Sequence, residues 1–122
     1  MRIGLDIMGG DFAPESTVMG AISALEGLGQ EDTLVLIGNI DQIKAILDRE
    51  KQPHDAFEIV ASEEVIEMDE HPARAISRKT KSSISIGFQM LKNGTLDAFS
   101  SAGNSGAMLV GSMHVVRSIP GV

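Results

Sequence analysis

The chain contains no cysteine, so a disulfide scaffold, a cysteine nucleophile and a thiolate metal site are all excluded. No apolar run approaches the ~20 residues that a membrane-spanning helix needs, which excludes such a helix. The start, MRIGLDIMGGDFAPE, has an acid at Asp6 and no small-residue cleavage site behind a long apolar stretch. It reads as a mature cytosolic start and not as a secretory signal. Bases are scarce: 10 Lys and Arg stand against 17 Asp and Glu, for a formal net charge of −7. That balance argues against a protein that coats nucleic acid. There is no internal repeat, no Pro-rich linker and no low-complexity segment. His54, His71 and His114 are scattered, each without a spaced partner, so neither a metal nor a cofactor is expected.

What is present suits one α/β domain: 122 residues, 43% of them hydrophobic and 22% charged. That composition buries a core and excludes wholesale disorder. The charge is unevenly spread. Residues 1–70 hold 4 basic and 16 acidic side chains (net −12), whereas residues 71–122 hold 6 basic and 1 acidic (net +5). An anionic ligand or an acidic partner would be drawn to the second part. Equally, the two parts can neutralise one another across the fold.

Strand and helix patterns alternate along the chain. Arg2–Met8 alternates around apolar residues and stops at Gly9-Gly10, as a strand ending in a tight turn does. Pro14 suits the first turn of a helix whose stripe is Val18, Ile22 and Leu25, ending near Gly27 and Gly29. Thr33–Ile37 is a continuous apolar run, the pattern of a strand covered on both faces. Ile40, Ile43 and Leu47 form a second helical stripe, and Phe57–Ala61 a third strand. An acidic stretch, Ser62–Pro72, leads into a basic one holding Arg74, Arg78, Lys79 and Lys81. Ser82-Ser83 would cap a helix striped by Ile84, Phe88 and Leu91, with Asn93-Gly94 at its end. Asp97–Ser101 is the fourth strand, and Ala102–Gly106 turns into a final helix. This order predicts a parallel sheet with helices on both faces. The ending, Val115 to Val122, reads as a helix exit leading into another element. The chain is expected to be the leading part of a longer α/β protein.

Three segments have the residues for chemistry. Gly103, Asn104, Ser105 and Gly106 lie where a strand gives way to a helix, the place where backbone N–H groups and a helix dipole favour an anion. No Lys follows Gly106, so this is not a nucleotide P-loop, and the full dinucleotide spacing is absent. Gly9, Gly10 and Asp11 form a second loop expected on the same edge of the sheet. There Asp11 either orients a ligand hydroxyl or, by preference, caps the following helix. Lys81, Ser82 and Ser83 place one cation and two hydroxyls at a helix start, a setting that suits phosphate. Each segment also has a plain structural reading as a turn and cap. Met residues in the last helix either line an acyl groove or, more ordinarily, fill core.

Taken in order, MRIGLDIMGGDFAPE, EEVIEMDEHPARAISRKTKSS, SAGNSGAML and RSIPGV resemble the front portion of the bacterial phosphate acyltransferases of phospholipid synthesis, the PlsX family. The resemblance covers nearly the whole chain in register, and the family's chains are longer. It implies a three-layer α/β/α sandwich with a mainly parallel sheet, related to isocitrate- and isopropylmalate-dehydrogenase-like folds and to phosphotransacetylases. The implied reaction moves a long-chain acyl group from acyl-acyl-carrier protein to inorganic phosphate. The acyl phosphate then serves a glycerol-3-phosphate acyltransferase at the membrane. A homodimer, cytoplasmic and peripherally membrane-associated, is also implied.

Carried onto this chain, the resemblance puts Lys81 and Asn104 at the catalytic centre. Gly9, Gly10, Asp11, Ser82, Ser83, Gly103, Ser105 and Gly106 would bind phosphate or substrate. Phosphate is itself the nucleophile, so no cysteine is required. One departure is Phe12, where the family pattern Gly-Gly-Asp-His-Ala-Pro has His; a proton-transfer role there loses its support. Two other functions remain open on the residues alone: a phosphotransacetylase acting on short acyl-CoA, and a non-catalytic module that binds phosphate or a carrier protein. The 122-residue chain by itself is expected to be inactive.

Overall fold

The computed structural model describes residues 1–122. Four strands, β1 (Arg2–Asp6), β2 (Thr33–Gly38), β3 (Glu58–Ala61) and β4 (Ala98–Ser100), form one sheet in the order β3-β2-β1-β4. Every pairing is parallel. Helices α1 (Glu15–Ala24) and α2 (Ile40–Arg49) connect β1 to β2 and β2 to β3, while α3 (Pro72–Arg78) and α4 (Ser83–Lys92) carry the chain from β3 back past β1 to β4. Helix α5 (Ser105–Gly111) follows β4 and runs into a π-helical turn, Ser112–Val116. The expected α/β/α layering is the one observed.

The period of two in β2 explains the layers. Leu34 and Leu36 face the α1/α2 side, in a core with Ile7, Val18, Ala21, Ile43, Ile46, Leu47 and Phe57. Val35 and Ile37 face the opposite side, with Leu96 and the partly buried Ile86 and Met90 of α4. A central strand covered on both sides must be apolar at every position, hence the continuous run. Ile66, Ala75, Ile84, Phe88 and Ala107 make a smaller cluster among α3, α4 and α5. There Phe88 and Phe99 meet edge to face, with centroids 5.4 Å apart and planes at 71°. A Cβ at Gly87 would stand 2.3 Å from the Phe99 ring, so only glycine lets α4 lie this close to β4.

Four sequence expectations are corrected. α3 is a helix that the charge-dominated sequence around it concealed; its buried face is the single Ala75. The last helix is not one continuous α-helix, because α5 gives way to the π-helical turn after Gly111. Asp11 caps nothing: α1 begins at Glu15 behind Pro14, without a side-chain cap bond, and Asp11 is exposed. Met113 is exposed and not core, together with Leu109, Val116 and Ile119. No helix is long and apolar enough to cross a membrane.

Candidate functional site

Because all four strands run the same way, their carboxyl ends share one edge, and the helices that follow them start there. The loop after β1 and the loop after β4 are packed against each other at this edge. Their link is Asp6, the last residue of β1, only 1% exposed. Asp6 Oδ2 accepts the Ser101 hydroxyl at 2.6 Å, and its Oδ1 accepts the Met8 amide at 3.0 Å. Ser101 Oγ in turn accepts the Gly103 amide at 3.0 Å. A Cβ at Gly9 would lie 2.5 Å from Asp6 Oδ2 and 2.8 Å from the Gly103 nitrogen. Glycine is thus required at position 9 by the neighbouring loop. At Gly10 the backbone itself is left-handed, with φ of 103°, where a side chain would strain it.

Asn104 is 5% exposed, and its side chain is fully engaged. Its Oδ1 accepts the Ala107 amide at 3.0 Å and caps α5, while Nδ2 donates to the carbonyls of Glu67 and Glu70, each at 3.1 Å. Asn104 therefore clamps the acidic loop before α3 onto the start of α5. A Cβ at Gly106 would fall 2.4 Å from Pro72 Cγ, so α3 also abuts this turn. Lys79 reinforces the same loop through the Val65 carbonyl at 2.7 Å and a salt bridge to Glu70. The Glu67 amide and the Lys79 ammonium hold the Glu70 carboxyl below its ordinary range.

The third segment is built differently from its expected form. Ser82 is buried and caps α4, its Oγ accepting the Ser85 amide at 3.2 Å. Ser83 is buried beside it. The Lys81 ammonium does not converge with them on the helix start. It is 66% exposed and pairs with Glu63 at 3.1 Å, while its amide donates to Glu64. Phe12 is exposed, and no group of three or more acids or histidines is placed to hold a metal.

The fold thus joins Gly9 to Gly103 and Gly10 to Ala102, and joins Asn104 and Gly106 to the segment running from Glu67 to Pro72. Lys81 pairs with Glu63, and Asp11 is exposed. Sequence reasoning did not reach Asp6 and Ser101 as the tie between the loops. The available signal was an acid closing an otherwise apolar strand, a position where burial demands partners.

A parallel sheet with helices on both faces and two interlocked glycine turns at its carboxyl edge makes this an α/β/α sandwich protein, a class whose ligands sit at that edge when they bind. Within that class, the family described as fatty acid synthesis protein matches residues 1–122, and the chain belongs to it. It is 43% identical over 122 residues to a phosphate acyltransferase of Herpetosiphon aurantiacus, covering all of this chain and 33% of that protein. It is 40% identical to one from Caldicellulosiruptor bescii, covering all of this chain and 36% of the relative. A third, from Trichodesmium erythraeum, is 43% identical over 99% of this chain and 35% of its own length. The chain spans about a third of the length of these relatives.

Proposed function

We propose that this chain is part of an enzyme that transfers a long-chain acyl group from acyl-acyl-carrier protein to inorganic phosphate, supplying acyl phosphate to a membrane glycerol-3-phosphate acyltransferase. The observation that carries this reading is the match of the entire chain to relatives named phosphate acyltransferase. In the reaction a phosphate oxygen attacks the thioester carbonyl, a tetrahedral oxyanion forms, and the C–S bond breaks. The thiol leaves with a proton, and acyl phosphate remains. No protein nucleophile takes part, so the protein's task is to hold phosphate and thioester in line and to stabilise the oxyanion.

The residues described above fit that task. Gly9, Gly10 and the Gly103–Gly106 turn give close backbone approach, held by Asp6, Ser101 and Asn104. Asn104 acts here by holding the turn, since its own polar atoms are committed. Ser82 and Ser83 fix the start of α4, while the Lys81 ammonium just before it is paired with Glu63. The exposed apolar groove lined by Phe88, Leu91, Met113 and Val116 has the chemistry of an acyl-chain surface. An acidic carrier would be drawn to the basic stretch of residues 71–122, and the working unit in this reading is a peripherally membrane-associated cytoplasmic homodimer.

The test uses the full-length protein with palmitoyl-carrier protein or acetyl-CoA as donor, trapping acyl phosphate with hydroxylamine. Phosphate-dependent product from the carrier thioester is expected. Product from acetyl-CoA alone would replace this reading with a phosphotransacetylase, and binding without turnover would leave a non-catalytic module. Asn104→Ala is expected to lower the rate at least tenfold; a wild-type rate would remove the loop from the site.

A further inference from the structure

We propose that Arg74 and Arg78, with Lys79 beside them, form a binding site for a phosphoryl dianion. The proposal rests on the acyl-transfer reading and names the cations that hold its phosphate, a role the sequence had pointed to Lys81. The two arginines stand four residues apart on α3, one helical turn, so their side chains share a face. Both are exposed, and both line a cleft of about 290 Å³ with Glu70, His71, Ala75 and Lys79.

Two like charges at this spacing repel. The usual relief is a nearby carboxylate, and the preceding segment contains five: Glu63, Glu64, Glu67, Asp69 and Glu70. None of them reaches either guanidinium within 4 Å. Glu63 is taken by Lys81 and Glu64 by the Lys81 amide. Glu70, the one acid lining the cleft, is bound by Lys79 and by the Glu67 amide. The cleft is therefore left with two unneutralised guanidinium groups, which match phosphate oxygens two at a time. A carboxylate satisfies one such fork; a dianion with three free oxygens can satisfy both. One lining residue, Glu70, is tied to the glycine turn, its carbonyl accepting from Asn104 Nδ2 at 3.1 Å.

The experiment measures binding of inorganic phosphate to the full-length protein by calorimetry, without thioester, in Arg74→Gln, Arg78→Gln, the double variant and a Lys92→Gln control. Each single change is expected to weaken phosphate at least tenfold and the double to abolish it, while the control stays within twofold. Arg78→Lys should recover only part of the affinity, because an ammonium lacks the fork. Unchanged affinity in the double variant, or equal loss in the control, overturns the site. Methyl phosphate in parallel separates the sources: equal loss with both probes assigns the site to any phosphoryl group, and loss with inorganic phosphate alone assigns it to the free ion. A protein that binds phosphate through these arginines but makes no acyl phosphate overturns the reaction and keeps the site. Acyl phosphate formation with an unchanged phosphate KM in the double variant overturns the site and keeps the reaction.

Discussion

Residues 1–61 and residues 62–122 are built on different terms. The first part threads β1, α1, β2, α2 and β3 around nine buried apolar side chains on one sheet face. The second adds one short edge strand and three helices around a buried cluster of five, and leaves Leu109, Met113, Val116 and Ile119 exposed. The larger buried cluster lies in the first part. Six of the ten basic side chains, two of the three candidate ligand segments and the exposed apolar face lie in the second. A scaffold held by burial can support, at its carboxyl edge, loops that are held mainly by hydrogen bonds. Besides the β1–β4 pairing and the packing of Val35 and Ile37 on Leu96, a polar tie joins the two: Asp6 from the first part grips Ser101 from the second.

The contrast breaks most visibly if core truncations cost the same in both parts. Ile43→Ala empties a fully buried site in the first core and is expected to cost about 2–5 kcal/mol in chemical denaturation. Leu109→Ala, at a site 61% exposed, should stay within about 0.5 kcal/mol. Equal losses would mean that the exposed face is packed in solution. Gly9→Ala tests the tie itself. A methyl there meets backbone and a buried carboxylate that cannot retreat, and about 1–3 kcal/mol is the expected loss, as for overpacking. The damage should fall on both loops, read as faster hydrogen exchange at Gly103 with α2 unaffected. Ser82→Ala removes the α4 cap and should cost about 1 kcal/mol.

The smallest effect expected is on acid stability. Arg2, through a bidentate bond at 2.7 and 2.8 Å, lowers the pKa of Glu58, and the Glu67 amide and Lys79 lower that of Glu70. Both folded carboxylates hold protons less tightly than the unfolded chain. Their stabilisation is thus complete above the ordinary carboxylate range and is lost as the pH falls through that range to the lowered values. Glu58 is 42% exposed, so solvent screens much of its share. Arg2→Gln should flatten part of the decline in melting temperature as the pH falls from the ordinary carboxylate range downward; an unchanged slope would remove Glu58 from the account.

How much was legible depended on how each residue does its work. Burial leaves a periodic trace, so Thr33–Ile37 announced a central strand and Ile40, Ile43 and Leu47 a helix. Ser82 announced a cap, since a serine ahead of an apolar stripe meets a local need. α3 left almost no trace, because one buried alanine cannot make a stripe. Lys81 looked like a ligand group because its neighbours in sequence are serines at a helix start. Its partner, Glu63, lies 18 residues away in the chain and only the fold brings it near.

Local pattern along the chain was enough for the alternation of strand and helix, the parallel sheet, the split of charge and the family resemblance. Tertiary structure alone decided that Asp6 meets Ser101 across 95 residues, that Gly9 seats Gly103, and that Asn104 spends its amide on the loop before α3. It also decided which cations stay unpaired. Periodicity reports whether a side chain faces the core, because burial acts on each residue separately. A polar group's partner is set by distances between remote segments, and those exist only once the sheet has brought its carboxyl ends to one edge.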